Sequence, residues 1–100
     1  MFTKFNLYIG LNDKDSKVQE ISTIDAYKII GAICGDCTIT EGKGLYTHQD
    51  GTQVLETSLI VQIIDFSGTL DIVPVINSIK AALNQESVAV IREQVDSRLL

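Results

Sequence analysis

Few residues of this chain have the chemistry to act on another molecule, and most of them lie beside glycines. Cys34-Gly35-Asp36-Cys37 forms a C-x-x-C pair. Redox enzymes set such a pair at a helix N-terminus, where the dipole stabilises a thiolate. Here the apolar spacing of Ala26, Ile29, Ile30 and Ile33 predicts a helix that ends at Gly35. The cysteines therefore fall at its C-terminal end, where the dipole raises a thiol pKa. As metal ligands they supply two sulfurs, and the only histidine is His48. Tetrahedral structural zinc wants four ligands, so no metal site is expected. The pair reads as two small residues closing a helix and opening a buried strand.

His48 stands just before a hairpin signal, near Tyr46, Gln49 and Asp50. Covalent catalysis needs a nucleophile and base held by a third group, and no recognisable spacing supplies one. Gly42-Lys43-Gly44 offers backbone N–H groups and an ammonium to an anion, but a phosphate loop is longer and runs into a helix. Asp13 and Asp15 lack the glycine and terminal glutamate of a calcium loop. Tyr8, Arg92 and Gln94 fall on adjacent predicted strands, where a ring and a guanidinium could stack on and pair with a planar anion. The ligand-binding residues expected from the sequence are thus Tyr8, Lys43, Tyr46, His48 and Arg92, with no catalytic residue, metal or cofactor.

These residues are positioned by six elements. Phe2 to Ile9 alternates, with Phe5, Leu7 and Ile9 on one face, and reads as a half-buried strand. Gly10 to Lys17 is a polar loop, and Ser22 with Asp25 gives a loose capping box for the first helix. Cys37 to His48 and Thr52 to Phe66 read as strands joined at Asp50-Gly51, a tight-hairpin signal. A two-residue turn there sets apolar Ile39 against polar Gln62. A one-residue bulge in Gly42-Lys43-Gly44 instead pairs Ile39 with Val61, so a bulge is expected. Asp71 caps a second helix with Pro74 in its first turn, and Ile72, Val75, Ile76, Ile79 and Leu83 make its apolar stripe. Ser87 to Gln94 is the fourth strand.

The order is strand, helix, strand, strand, helix, strand over residues 1–100, read as a single domain. Right-handed crossovers place both helices on one face of a four-stranded antiparallel sheet, an α+β, ferredoxin-like βαββαβ fold. Tyr8, Ile60, Ile64, Ala89 and Ile91 then belong to the face without helices. An apolar patch of that kind marks an interface, so Tyr8, Ile60, Ile64 and Ile91 are expected to join copies in a homo-oligomer unless the C-terminal tail covers them.

Bulk composition narrows the partners. The chain has 100 residues, 45% of them hydrophobic and 21% charged, which fits a folded domain rather than a disordered one. Mean hydropathy of +0.20 is high for so short a chain and again suggests covered surface. A net charge of -5 disfavours direct binding to nucleic acid. No apolar run approaches the roughly 18 residues of a membrane span, and Met1-Phe2-Thr3-Lys4-Phe5-Asn6 holds no signal-peptide core. With only two cysteines, a cytoplasmic address is expected.

The stretches Asn6 to Asp15, Gly44 to His48 with Asp50-Gly51, and Asn84 to Val90 resemble small ferredoxin-like accessory proteins of phages and mobile elements of Gram-positive bacteria. The resemblance implies an anti-defence role through a sequestered nucleotide or a bound host protein, and carries no functional residues with it. The leading expectation is a non-enzymatic, oligomeric binding module for a small, anionic, nucleotide-like ligand or a host protein. One alternative is an acidic inhibitor that mimics nucleic acid. Another is a small dimeric ferredoxin-like barrel enzyme, with Tyr8, His48 and Arg92 as its acid–base groups.

Overall fold

A computed structural model describes residues 1–100. The elements are β1 (Phe2–Gly10), α1 (Thr23–Cys34), β2 (Thr38–Thr47), β3 (Gln53–Asp65), α2 (Ile72–Leu83) and β4 (Ala89–Val95). The strands form one antiparallel sheet in the order β2-β3-β1-β4, the ferredoxin-like arrangement. No helix is long and apolar enough to cross a membrane.

The pleat decides what is buried. Phe5, Leu7 and Ile9 on β1 pair with Ile63, Val61 and Leu59 on β3, and all six turn toward the helices. Ala26 and Ile30 of α1 and Ile79 and Leu83 of α2 close over them. The helices begin and end where the local chemistry dictates. Ser22 Oγ accepts from the N–H of Asp25 at 3.1 Å, and Asp71 from that of Val73 at 3.1 Å. Each bond satisfies one of the N–H groups that a first turn leaves without a helical partner. Gly35, at φ 70°, terminates α1, and Asn84, in the left-handed region at φ 48°, terminates α2.

The β2–β3 hairpin departs from the sequence expectation in an instructive way. Ile39 does face Val61, but the register runs without a bulge from Thr38↔Gln62 to Thr47↔Gln53. The odd residue sits in the turn instead. His48 N–H donates to the Thr52 carbonyl at 2.8 Å and Gly51 N–H to the His48 carbonyl at 2.9 Å, which leaves a three-residue loop. Gly51 takes the left-handed conformation, at φ 87°, that such a loop needs in its last position. The offset is thereby absorbed without breaking the ladder. The fourth strand also starts at Ala89, two residues later than the sequence pattern implies.

On the helix-free face, Tyr8 and Ile60 are half-buried, while Ile64 and Ile91 are 37% and 49% exposed. The tail thus leaves Ile64 and Ile91 open, and its own Leu99 and Leu100 are exposed.

Two expectations concern stability. Gly51→Ala forces a Cβ into the left-handed region and costs about 1 kcal/mol in urea unfolding, with Gly51→Asn costing less. Asp65, the last residue of β3, accepts from the Ser67 hydroxyl at 2.6 Å and from the N–H groups of Leu70, Gly68 and Ser67. These bonds hold its carboxyl below the usual carboxylate range. A carboxyl lowered by folding stabilises above its unfolded pKa of about 3.9, and that share is lost as pH falls through the lower folded value. Asp65→Asn is expected to lower stability at pH 7 and to shrink the gap to the parent as pH drops below about 4.

Candidate functional site

A cavity of about 210 Å³ opens on the helix-free face, where β1 ends, β4 begins and the hairpin rises past the sheet. Tyr8 and Gly10 reach it from β1, and Asn12 and Lys14 from the loop that follows. Tyr46 and His48 come from the hairpin and Glu56 from β3. The α2–β4 connection adds Gln85, Glu86, Ser87 and Ala89.

The charged floor is Glu56. It lies on an inner strand of the sheet and is only 8% exposed. Its Oε2 accepts from the N–H of Asn12 at 2.8 Å, and it makes no ion pair. The chain's two ion pairs, Lys4–Glu93 and Lys17–Glu86, leave it out. A buried carboxylate is costly unless a cation accompanies it, so this site favours a ligand that brings positive charge.

The walls are aromatic. Tyr46 OH and Ser58 Oγ are hydrogen-bonded at 3.2 Å, which fixes the ring across β2 and β3. Tyr8 stands on β1 on the same face, paired with Ile60 and Ala89. His48 is half-buried, and its Nε2 is buried with no protein partner. A planar ring, one hydrogen-bonding edge and a cationic group would satisfy these three features together.

The rim is tied down from a distance. Gln85, 8% exposed, donates from Nε2 to the Asn12 carbonyl at 2.9 Å, and Asn84 Nδ2 donates to Asp13 at 2.8 Å and Asp15 at 2.9 Å. The Asn84 bond is the main reason the Asp13 carboxyl lies below the usual range, helped by the N–H groups of Ser16 and Asp15. The end of α2 thus holds the loop that supplies Asn12 to Glu56.

Tyr8, Tyr46 and His48 therefore meet at one cavity, whereas Lys43 and Arg92 do not reach it. Arg92 pairs with Phe5 and so shares the helix-side face, its guanidinium 5.8 Å from the Phe5 ring centroid. Lys43 is on that face too, donating from Nζ to Thr57 Oγ1 at 2.9 Å. The joint grip of Tyr8, Arg92 and Gln94 on one ligand is accordingly not formed, because the pleat separates Tyr8 from Arg92. Sequence reasoning left out Gly10, Asn12, Glu56 and Gln85. The usable signal was an acidic residue inside an otherwise Val-, Leu- and Ile-rich strand, with a glycine opposite.

The cysteines sit half-buried at the end of α1, with Cys37 and His48 at opposite ends of β2. Burial pushes the Cys34 thiol up to about 11, and the Cys37 thiol is raised as well, by burial and by the neighbouring Asp36.

The chain is thus a ferredoxin-like α+β protein whose bare sheet face carries an aromatic and acidic cavity. No family model and no curated protein matches this chain. Among solved structures it is similar to a phage SAM lyase in complex with S-methyl-5′-thioadenosine, with 24% identity and a TM-score of 0.77 over 93% of this chain and 81% of that one. A phage SAM lyase in the apo state matches at 25% identity, with a TM-score of 0.70 over 91% and 78% of the two chains. Both are phage proteins, in keeping with the phage resemblance of the sequence. The expectation of a non-enzymatic binding module is corrected here: the fold shared over 93% of the chain is that of an enzyme.

Iodoacetamide at pH 7 is expected to leave Cys34 and Cys37 unlabelled in the folded protein while alkylating both in urea, because only the thiolate reacts. Rapid labelling of either in the folded state would contradict the burial described.

Proposed function

We propose that this chain is a lyase that cleaves S-adenosylmethionine and releases methylthioadenosine. The observation that carries the reading is the buried, unpaired Glu56 carboxylate between two tyrosines, on a sheet that matches phage SAM lyase. The enzyme alternative drawn from the sequence is the better supported, though with a different set of residues.

Methylthioadenosine keeps the methyl group, the sulfur and the adenosyl group of the substrate. The bond that breaks therefore joins sulfur to the four-carbon amino-acid chain. Its electron pair passes to sulfur, and the cationic sulfonium becomes a neutral thioether. Such a leaving group needs no acid. The chain's own carboxylate oxygen can close on the carbon that sulfur leaves, forming a lactone. That route is intramolecular and asks the protein only to hold the substrate folded. It accords with a cavity in which no nucleophile and base are paired.

The roles follow from the charges. Tyr8 and Tyr46 flank the adenine, and the free Nε2 of His48 bonds to a polar edge of the nucleoside. Glu56 takes the α-ammonium, which keeps its charge throughout. A carboxylate on the sulfonium would instead stabilise the substrate more than the transition state, since that charge disappears as the bond breaks. Consumption of the cell's methyl donor also gives the anti-defence expectation a concrete form, acting in the cytoplasm on host methyl transfer.

The bare sheet face supports a homo-oligomer. Asn6, 7% exposed, has an Oδ1 with no partner at the centre of that face, beside Ile60, Ile64 and Ile91. A second copy would supply a donor and cover the patch.

Incubation with S-adenosylmethionine should release methylthioadenosine, read by chromatography, and Glu56→Gln should raise KM about tenfold to a hundredfold, the worth of a hydrogen bond to a charged group. Absence of methylthioadenosine at any enzyme concentration would sink the reading. For the assembly, light scattering should give a mass above one chain that Ile91→Lys reduces; a parent of one chain's mass would refute it.

A further inference from the structure

We propose that Gly10 and Gly44 are positioning residues of the cavity, whose missing side chains let the Glu56 carboxylate and the Tyr46 ring lie flat across the neighbouring strands. The proposal rests on the reading of this cavity as the substrate site. Three glycines, Gly10, Gly42 and Gly44, fall on the helix-free face of β1 and β2. Glycine inside a strand weakens it, because it packs nothing and costs backbone entropy. A turn would explain such residues, but none of the three has a positive φ. The backbone accepts any side chain at these positions, so the cause must lie in what surrounds them.

The surroundings differ sharply. A Cβ at Gly10 would lie 2.6 Å from Cδ and 2.9 Å from Oε2 of Glu56. A Cβ at Gly44 would lie 2.6 Å from Ser58 Oγ and 2.6 Å from Cζ of Tyr46. A Cβ at Gly42 would meet nothing within 4 Å. Two of the glycines are thus roofed by the two side chains that form the cavity's floor and wall, and the third is bare.

The consequence is geometric. Gly44 is paired with Glu56 across β2–β3, while Gly10 sits diagonally from it on β1. With Gly10 lacking a Cβ, the carboxylate reclines over β1 far enough to meet the N–H of Asn12 at 2.8 Å. An alanine there lifts the carboxylate off the strand, breaks that bond and moves the negative charge out of the floor. At Gly44 an alanine displaces the Tyr46 ring and its contact with Ser58.

The experiment compares Gly10→Ala, Gly44→Ala and Gly42→Ala, each with and without Glu56→Asp, which shortens the carboxylate arm by one methylene. Thermal midpoints and the KM and kcat for methylthioadenosine release are the readouts. Gly42→Ala should leave KM unchanged and hold or raise the midpoint. Gly10→Ala should lower the midpoint and raise KM by about fivefold or more, and in the Glu56→Asp background the same change should have little effect, a strong non-additivity between touching residues. Gly44→Ala should raise KM by a similar factor whether or not Glu56→Asp is present. If Gly10→Ala prevents folding outright, recovery of the fold by Glu56→Asp supports the proposal and its failure to recover overturns it. Additive effects of Gly10→Ala and Glu56→Asp, or a Gly10→Ala variant that behaves like Gly42→Ala, would also overturn it. A parent without lyase activity defeats the substrate reading alone, because coupling of the thermal midpoints still decides the cradle.

Discussion

Leu59, Val61 and Ile63 turn one way from β3, while Glu56, Ser58 and Ile60 turn the other, and a slip of one residue would exchange the two sets. Such a slip would push a carboxylate into the core and three aliphatic side chains into water. Strand period two makes the register an all-or-none choice. β3 is bonded on both sides, so its two ladders must agree. The core, the bare face and the cavity all follow from that agreement. The three-residue loop closed by Gly51 secures it on the hairpin side without disturbing a single rung.

The elements were legible because period and punctuation coincide. Phe5, Leu7 and Ile9 announce β1, Ser22 and Gly35 bracket α1, and Asp71 opens α2. The pairing of Ile39 with Val61 was legible too, from polarity matching alone. Its mechanism was not, since a bulge and a longer turn shift the register by the same single residue. The site was harder. Tyr8, Tyr46 and His48 attract notice by type, but Glu56 gains meaning only when β1 and β2 are laid beside it. Arg92 misled because its face depends on the partner it pairs with, and pairing with Phe5 turns it to the helix side of the sheet.

A nucleophile, base and orienting group held together matter only to reactions that need them. A sulfonium substrate carries its own activated leaving group, and its own carboxylate can attack. A protein acting on it has mostly to exclude alternatives and hold a shape, which is a matter of walls and one well-placed charge. For the proposed substrate, a small number of reactive residues would reflect the chemistry of the sulfonium as much as that of the protein.

The bonds from Asn84 and Gln85 to Asp13 and Asn12 join residues 71 and 73 positions apart. They join the end of α2 to the loop after β1, which its own bonds around Asp13 also shape. Gln85 bonds the carbonyl of the same Asn12 whose N–H meets Glu56. The cavity is therefore complete only when the segment after α2 docks against the loop after β1. A hairpin formed without that segment would carry the floor of the cavity but not its rim.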